Sequence, residues 1–117
     1  MSVYAELADL PGVIAAGEYA YRGDRYNYKG QLSDEMARMA SIMCRATTMA
    51  THMQADILSG VSDSTHFTPA HGWVVRGPGF TVCVVANVFC FLHNEAGSVN
   101  QVMAHMQKRL ADVEELI

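Results

Sequence analysis

The sequence predicts an α+β fold in which helices cover both faces of an antiparallel sheet, in the order α-β-β-α-β-β-β-α. Three observations carry this. From Gly72 to Asn94 (GWVVRGPGFTVCVVANVFCFLHN), two β-prone runs flank Arg76-Gly77-Pro78-Gly79, and between Phe80 and Leu92 only Thr81 and Asn87 are polar. An unbroken strand of that length is unusual, so a turn belongs at Ala86-Asn87, with Val85 facing Val88. In that register one face of the hairpin carries Thr81, Cys83, Val85, Val88, Cys90 and Leu92. The other carries Phe80, Val82, Val84, Phe89, Phe91 and His93. Neither face suits water, so covering layers are required above and below. The third observation is that the rest of the chain holds three amphipathic stretches at helical spacing to supply them.

Taken in order, Val3, Leu7 and Leu10 predict a short helix that Pro11-Gly12 ends. Val13 to Tyr21 reads as a strand of small residues, with Val13, Ala15, Gly17, Tyr19 and Tyr21 on one side and Ile14, Ala16, Glu18 and Ala20 on the other. Arg22-Gly23-Asp24-Arg25 is turn chemistry, Tyr26 to Lys29 a second strand, and Gly30 closes the hairpin. Ser33 is placed to cap a long helix running to about Leu58, with Asp34 and Glu35 in its first turn. Met36, Met39, Met43, Ala46, Ala50, Met53 and Ile57 form an apolar stripe on it. Ala37, Ala40, Ser41, Cys44, Thr47, Thr48 and Thr51 form a small-residue face beside that stripe, fit for close approach of a sheet or a second helix. Ser59 to Pro69 reads as a loop, the longest irregular segment. Ser98 with Gln101 starts the last helix, which buries Val99, Val102, Met103, Met106, Leu110 and Val113 and leaves Gln107, Lys108, Asp112, Glu114 and Glu115 largely wet.

A chain of 117 residues, half of them hydrophobic and 17% charged, is expected to fold as one globular domain over 1–117. Its net charge of −4, with histidines neutral, lacks the basic footprint of a nucleic-acid binder. The start, MSVYAE, has no basic n-region and leads into no long apolar segment, so neither a signal peptide nor a membrane span is expected and the location is read as cytoplasmic. Three cysteines without C-x-x-C spacing suit a reducing compartment.

The opening Leu7-x-x-Leu10-Pro11-Gly12-Val13, followed by a hairpin, a long helix, a three-stranded meander and a terminal helix, resembles the Roadblock family, the dynein-light-chain-like relatives of profilin, over nearly the whole chain. LPGVIAAGEY, YKGQLSDEMARMASIMC, the Trp73 strand and VCVVANV are similar to a family of small uncharacterised bacterial proteins in that superfamily. The resemblance implies a three-layer α/β/α arrangement: a five-stranded antiparallel sheet, the terminal helices on one face and the long helix on the other. It also implies a homodimer or heterodimer that acts as a scaffold or regulates a small GTPase, without common catalytic residues or a cofactor. The methionines and cysteine of the middle helix depart from the general Roadblock pattern.

Each candidate site has a plain alternative. Cys83 and Cys90 face each other in the hairpin register and so form a conceivable redox pair, but they occupy a hydrogen-bonded position with the wider Cα separation, and buried thiols are the better reading. His52, His66, His71, His93 and His105 show no H-x-x-x-H or cysteine partner at ligand spacing. His52 and Asp56 lie one helical turn apart, as a surface pair or an oriented base. The methionine stripe reads as core, with an adaptable binding groove as the alternative. Gly77-Pro78-Gly79 lacks the lysine and following helix of a phosphate loop. The leading expectation is a non-enzymatic homodimeric interaction module. The Roadblock resemblance implies a strand order with His71 to Arg76 at a sheet edge, and the expected dimer interface is Trp73, Val74 and Val75 on that strand, which has no proline or inward charge, with Met39 and Met43 packing across it. A small-molecule, metal or redox sensor built on the Met- and Cys-bearing middle helix is the alternative.

Overall fold

The computed structural model describes residues 2–22, 24–61 and 70–111. Eight elements follow in the expected order: α1 (Val3–Ala8), β1 (Val13–Tyr19), β2 (Tyr26–Gly30), α2 (Asp34–Val61), β3 (Gly72–Arg76), β4 (Phe80–Val85), β5 (Val88–His93) and α3 (Val99–Arg109). The five strands form one antiparallel sheet ordered β2-β1-β5-β4-β3. Val85 pairs with Val88 and Cys83 with Cys90, the register expected from a turn at Ala86-Asn87. Ala86 makes the turn at φ 54, and Asn87 clamps it to β1: its side-chain amide donates to Tyr19 O at 3.0 Å and its carbonyl accepts from Tyr19 N at 3.1 Å.

The two faces of β4 and β5 build two cores. Cys83, Val85, Val88, Cys90 and Leu92 pack with Ala16 against Leu7 of α1 and Val102 and Met106 of α3. Val82, Val84, Phe89 and Phe91 pack with Ala15 and Tyr19 against Ala40 and Cys44 of α2. The terminal helices thus share one face and the long helix takes the other, the three-layer arrangement that the resemblance implied. Both longer helices are capped as their sequences require: Ser33 Oγ accepts from Met36 N and Ser98 Oγ accepts from Gln101 N, each at 3.1 Å.

Four expectations need correcting. Strict alternation along β1 fails at its start, where Val13 pairs with Leu92 but Ala15 with Phe91, so one extra residue shifts the register. This bulge puts Val13 with Ala16 on the terminal-helix side and Ile14 with Ala15 on the α2 side. The strand ends at Tyr19 rather than Tyr21. Helix α2 continues through Ser59 and Gly60 to Val61; residues 62–69 of the expected loop, with His66, lie outside the described residues, as do Gly23 of the turn and Val113 with its acidic neighbours. The fourth correction is the largest: the methionine stripe is not core. Met36, Met39, Met43, Met53 and Ile57 are all exposed, and the helix buries its small-residue side, Ala37, Ala40, Ser41, Cys44, Thr48 and Ala55.

Gly17 shows how close the packing is. A β-carbon there would stand 2.4 Å from Phe89 Cζ and 2.5 Å from the backbone oxygen of Asn27, so β2 itself would have to move. Gly17→Ala is therefore expected to destabilise the fold by about 1–3 kcal/mol, as for overpacking; an unchanged denaturation midpoint would contradict this contact.

Candidate functional site

The surface most able to do something is the β3 edge together with the helix that reaches it. Helix α2 starts beside β2, where Tyr26 Oη donates to Asp34 Oδ2 at 3.0 Å. It meets β3 at Thr48, whose Oγ1 accepts from Trp73 Nε1 at 2.9 Å. β2 and β3 are the two sheet edges, so the helix crosses the sheet in fourteen residues. At 1.5 Å per residue that is about 21 Å, matching four inter-strand spacings of roughly 4.8 Å. Thirteen residues remain after Thr48, a further run of about 20 Å beyond the edge strand.

Thr48 is the junction. Its hydroxyl also lies 3.0 Å from Tyr19 Oη, and the cluster of Tyr19, Thr48 and Trp73 fixes the helix against the centre and edge of the sheet at once. Burial pushes the Tyr19 phenol up to about 12, so it serves as a hydrogen-bonding group rather than an acid. Sequence reasoning missed Thr48 except as a small residue, because its partners come from 29 and 25 residues away. It also missed Asn94, whose backbone N donates to Gly79 O and side-chain amide to Gly77 O, while its Oδ1 accepts from Thr81 Oγ1 at 2.6 Å. Those bonds fasten the β3–β4 connection to the end of β5 and hold the edge strand in line.

The edge itself has two faces. Trp73 and Val75 pair with Val84 and Val82 and share the α2 face, while Val74 pairs with Cys83 and faces the terminal-helix side. Ala86 N donates to His71 O and Gly77 N to Phe80 O, bracketing the pair. Alternation between these two bonds turns the amides of Trp73 and Val75 toward β4 and those of Gly72, Val74 and Arg76 outward. Val74 and Val75 are exposed and Trp73 half-buried. Of the two long-helix residues expected at the interface, Met39 and Met43, both are exposed on the outward side of α2.

The other candidates disperse. Cys44, Cys83 and Cys90 are free, buried thiols; desolvation pushes Cys44 and Cys90 up to about 12 and Cys83 to about 11. Cys44 faces the sheet and the methionines face away, so the middle helix does not bring its sulfurs together. His52 lines a void of about 10 Å³ with Thr48, His71 and Trp73; Asp56 is exposed, outside that lining, and no hydrogen bond joins it to His52. Among the described residues no group of three or more His, Cys, Asp or Glu converges. A shallow recess of about 190 Å³ opens beside the β1–β2 turn, lined by Glu18, Arg25, Tyr26, Asn27 and Asn87. Glu6 joins α1 to α3 by accepting from Arg109 and lying 3.0 Å from His105 Nε2, and the Arg109 bond holds its carboxyl below the ordinary range. No helix among the described residues is long and apolar enough to cross a membrane.

Comparison with known proteins agrees with this fold. A family described as an uncharacterized conserved protein (DUF2173) matches residues 4–108. No curated protein matches the sequence. The crystal structure of a Roadblock/LC7 domain from Streptomyces avermitilis is similar with a TM-score of 0.61 at 15% identity, over 93% of this chain and 92% of that one. Myxococcus xanthus MglB is similar with a TM-score of 0.63 at 12% identity, over 91% and 86%. At such identities the likeness establishes the Roadblock fold.

Two outcomes follow from this geometry. Thr48→Val removes the acceptor of Trp73 Nε1 and leaves the Tyr19 hydroxyl only its long bond to Ala86 O at 3.5 Å; a loss of about 1–3 kcal/mol is expected, with altered emission from Trp73, the sole tryptophan. Unchanged stability and emission would show that the junction is dispensable. The three thiols should resist a disulfide reagent at neutral pH until the protein unfolds, since the thiolate is the reacting form; rapid labelling in the native state would contradict their burial.

Proposed function

The chain belongs to the DUF2173 family of conserved proteins, and from that membership and its Roadblock fold we propose that it is a non-enzymatic interaction module that works as a homodimer. The observation that supports this best is the edge strand β3: its Val74 amide and carbonyl face outward, Val74 and Val75 are exposed, and it carries neither proline nor an inward charge. Natural sheets blunt such edges unless they are paired. A second copy laid antiparallel and centred on Val74 sets Trp73 of each copy beside Val75 of the other, both on the α2 face, and extends the ladder through outward amides only. The two long helices then run antiparallel on one side of a continuous sheet. Trp73 and its counterpart are two residues apart along the strand direction, about 7 Å, near the roughly 8–10 Å spacing of packed helices. Met39 and Met43 of one helix thereby come beside the second half of the other.

In this reading the single unit spans the chain and acts in the cytoplasm. A protein partner, for which the Roadblock resemblance implies a small GTPase, meets the outward methionines of the helix pair, an adaptable apolar surface. The acidic net charge disfavours nucleic acid as that partner.

Light scattering at micromolar concentration is the test. The wild type is expected to be a dimer and Val74→Pro a folded monomer, because proline removes an amide that bonds only across the edge. Val75→Pro removes an amide directed at β4 and should lower stability as well. A monomeric wild type, or a dimer that survives Val74→Pro, would overturn the proposal.

A further inference from the structure

The second half of α2 carries a set of metal-ligating side chains that the core does not use. Met49, His52, Met53 and Asp56 stand at i, i+3, i+4 and i+7, the spacing that puts them on one side of a helix. Met49 is 51% exposed and Met53 66%, and Asp56 is exposed as well. His52 is half-buried and lines the void of about 10 Å³ beside β3 together with His71. Among the described residues no hydrogen bond engages the His52 imidazole or the Asp56 carboxylate. Charge separates this group from the other methionines of the helix. Asp56 is the sole charged residue from Ala46 to Val61, whereas Arg38 lies 3.8 Å from Met39 Sδ and sets a positive charge beside Met36, Met39 and Met43.

We infer that Met49, His52 and Met53 form a binding site for a soft monovalent cation, Cu(I) or its analogue Ag(I), with Asp56 balancing the charge. Thioether sulfur is a soft, uncharged ligand that selects Cu(I). Zn(II) takes thiolates, imidazoles and carboxylates, and Mg(II) and Ca(II) take oxygen, so two thioethers in a set of three point away from all of them. Side chains three and four apart on a helix start about 5–6 Å apart at Cβ. Donors sharing one ion at about 2–2.3 Å must come within roughly 4 Å of each other. Methionine closes that gap at little cost, since it is unbranched, turns about three bonds and here is exposed rather than packed. The competing thiols are withdrawn, because Cys44, Cys83 and Cys90 are buried. All four side chains belong to one chain, so the site does not rest on the homodimer proposed above.

Competition for Cu(I) against a chromogenic chelator, in anaerobic buffer with ascorbate, tests the site on the intact chain. The wild type is expected to withdraw one Cu(I) per chain from the chelator, and Ag(I) to shift the methyl resonances of Met49 and Met53 but not those of Met36 and Met39. Met49→Leu and Met53→Leu keep an apolar side chain of similar volume at exposed positions, so the fold is retained. Each should weaken binding by about tenfold or more, no less than the loss of a group that merely orients a ligand, and the pair together should abolish it. Met39→Leu should leave it unchanged. A wild type that takes no Cu(I) from the chelator overturns the site. Full binding by the double leucine variant also overturns it, by placing the ion on the thiols. Zn(II) bound as tightly as Cu(I) would assign the ion to His52 and His71 without the thioethers, and would sink the inference equally.

Discussion

The structure depends on one constraint: the β4–β5 hairpin is apolar on both faces. With Thr81 and Asn87 the only polar residues between Phe80 and Leu92, leaving either face in water would forfeit the burial of several large side chains, each worth about 1.5–3 kcal/mol. Two separate cores follow, one under α1 and α3 and one under α2, with the hairpin as the wall between them. The two polar residues survive burial because each has a partner: Thr81 donates to Asn94, and Asn87 donates to Tyr19. Both partners lie where the hairpin must be tied to something else, Asn94 at the β3–β4 connection and Tyr19 at the end of β1.

That constraint also explains where sequence reading succeeded. The register at Val85–Val88, the two faces and the element order are periodic, local quantities, and they were legible. The bulge in β1 was not, since Ile14 and Val13 are equally apolar and alternation gives no reason to prefer either side. Tertiary pairing decides it, with Gly30 at φ +124 allowing the backbone to close against Ala15. The candidate site was legible in part. The edge position of β3 came from the strand order that the Roadblock resemblance implies, and the Thr48 and Asn94 junctions join residues 13 to 29 apart in the chain and carry no local signature.

The inversion of α2 is the most instructive difference. Hydrophobicity favours methionine and isoleucine over alanine and threonine as core, yet a helix that must lie close across five strands already filled by Phe89, Phe91 and Tyr19 has room only for small side chains beneath it. The large aromatics of the sheet supply the volume, and Gly17 and Ala15 make space for them. The methionines are then displaced to the outside by geometry, where they stand among the exposed Glu35, Arg38, Gln54 and Asp56. Here the inner side has its sheet, and the outer side is the part of the molecule whose apolar area the chain itself does not cover.

The two sheet edges sharpen that contrast. At β2, Lys29 is tied to Asp9 at 3.3 Å and Asn27 to Glu18 at 3.3 Å, while Tyr26 reaches Asp34 at the start of α2; charged and polar side chains occupy one face and the Tyr26–Tyr28 pair is drawn under the helix. Those features, with a glycine at the strand's end, are the devices by which an edge resists a further strand. At β3 the equivalents are absent among the described residues: Val74 and Val75 are exposed and the nearest charge, Arg76, closes the strand. One sequence has therefore defended one edge and left the other open, directly beneath the point where α2 leaves the sheet. An undefended edge on its own would be an aggregation hazard. In the proposed homodimer that edge is closed by a single two-fold contact, which pairs two copies and does not propagate.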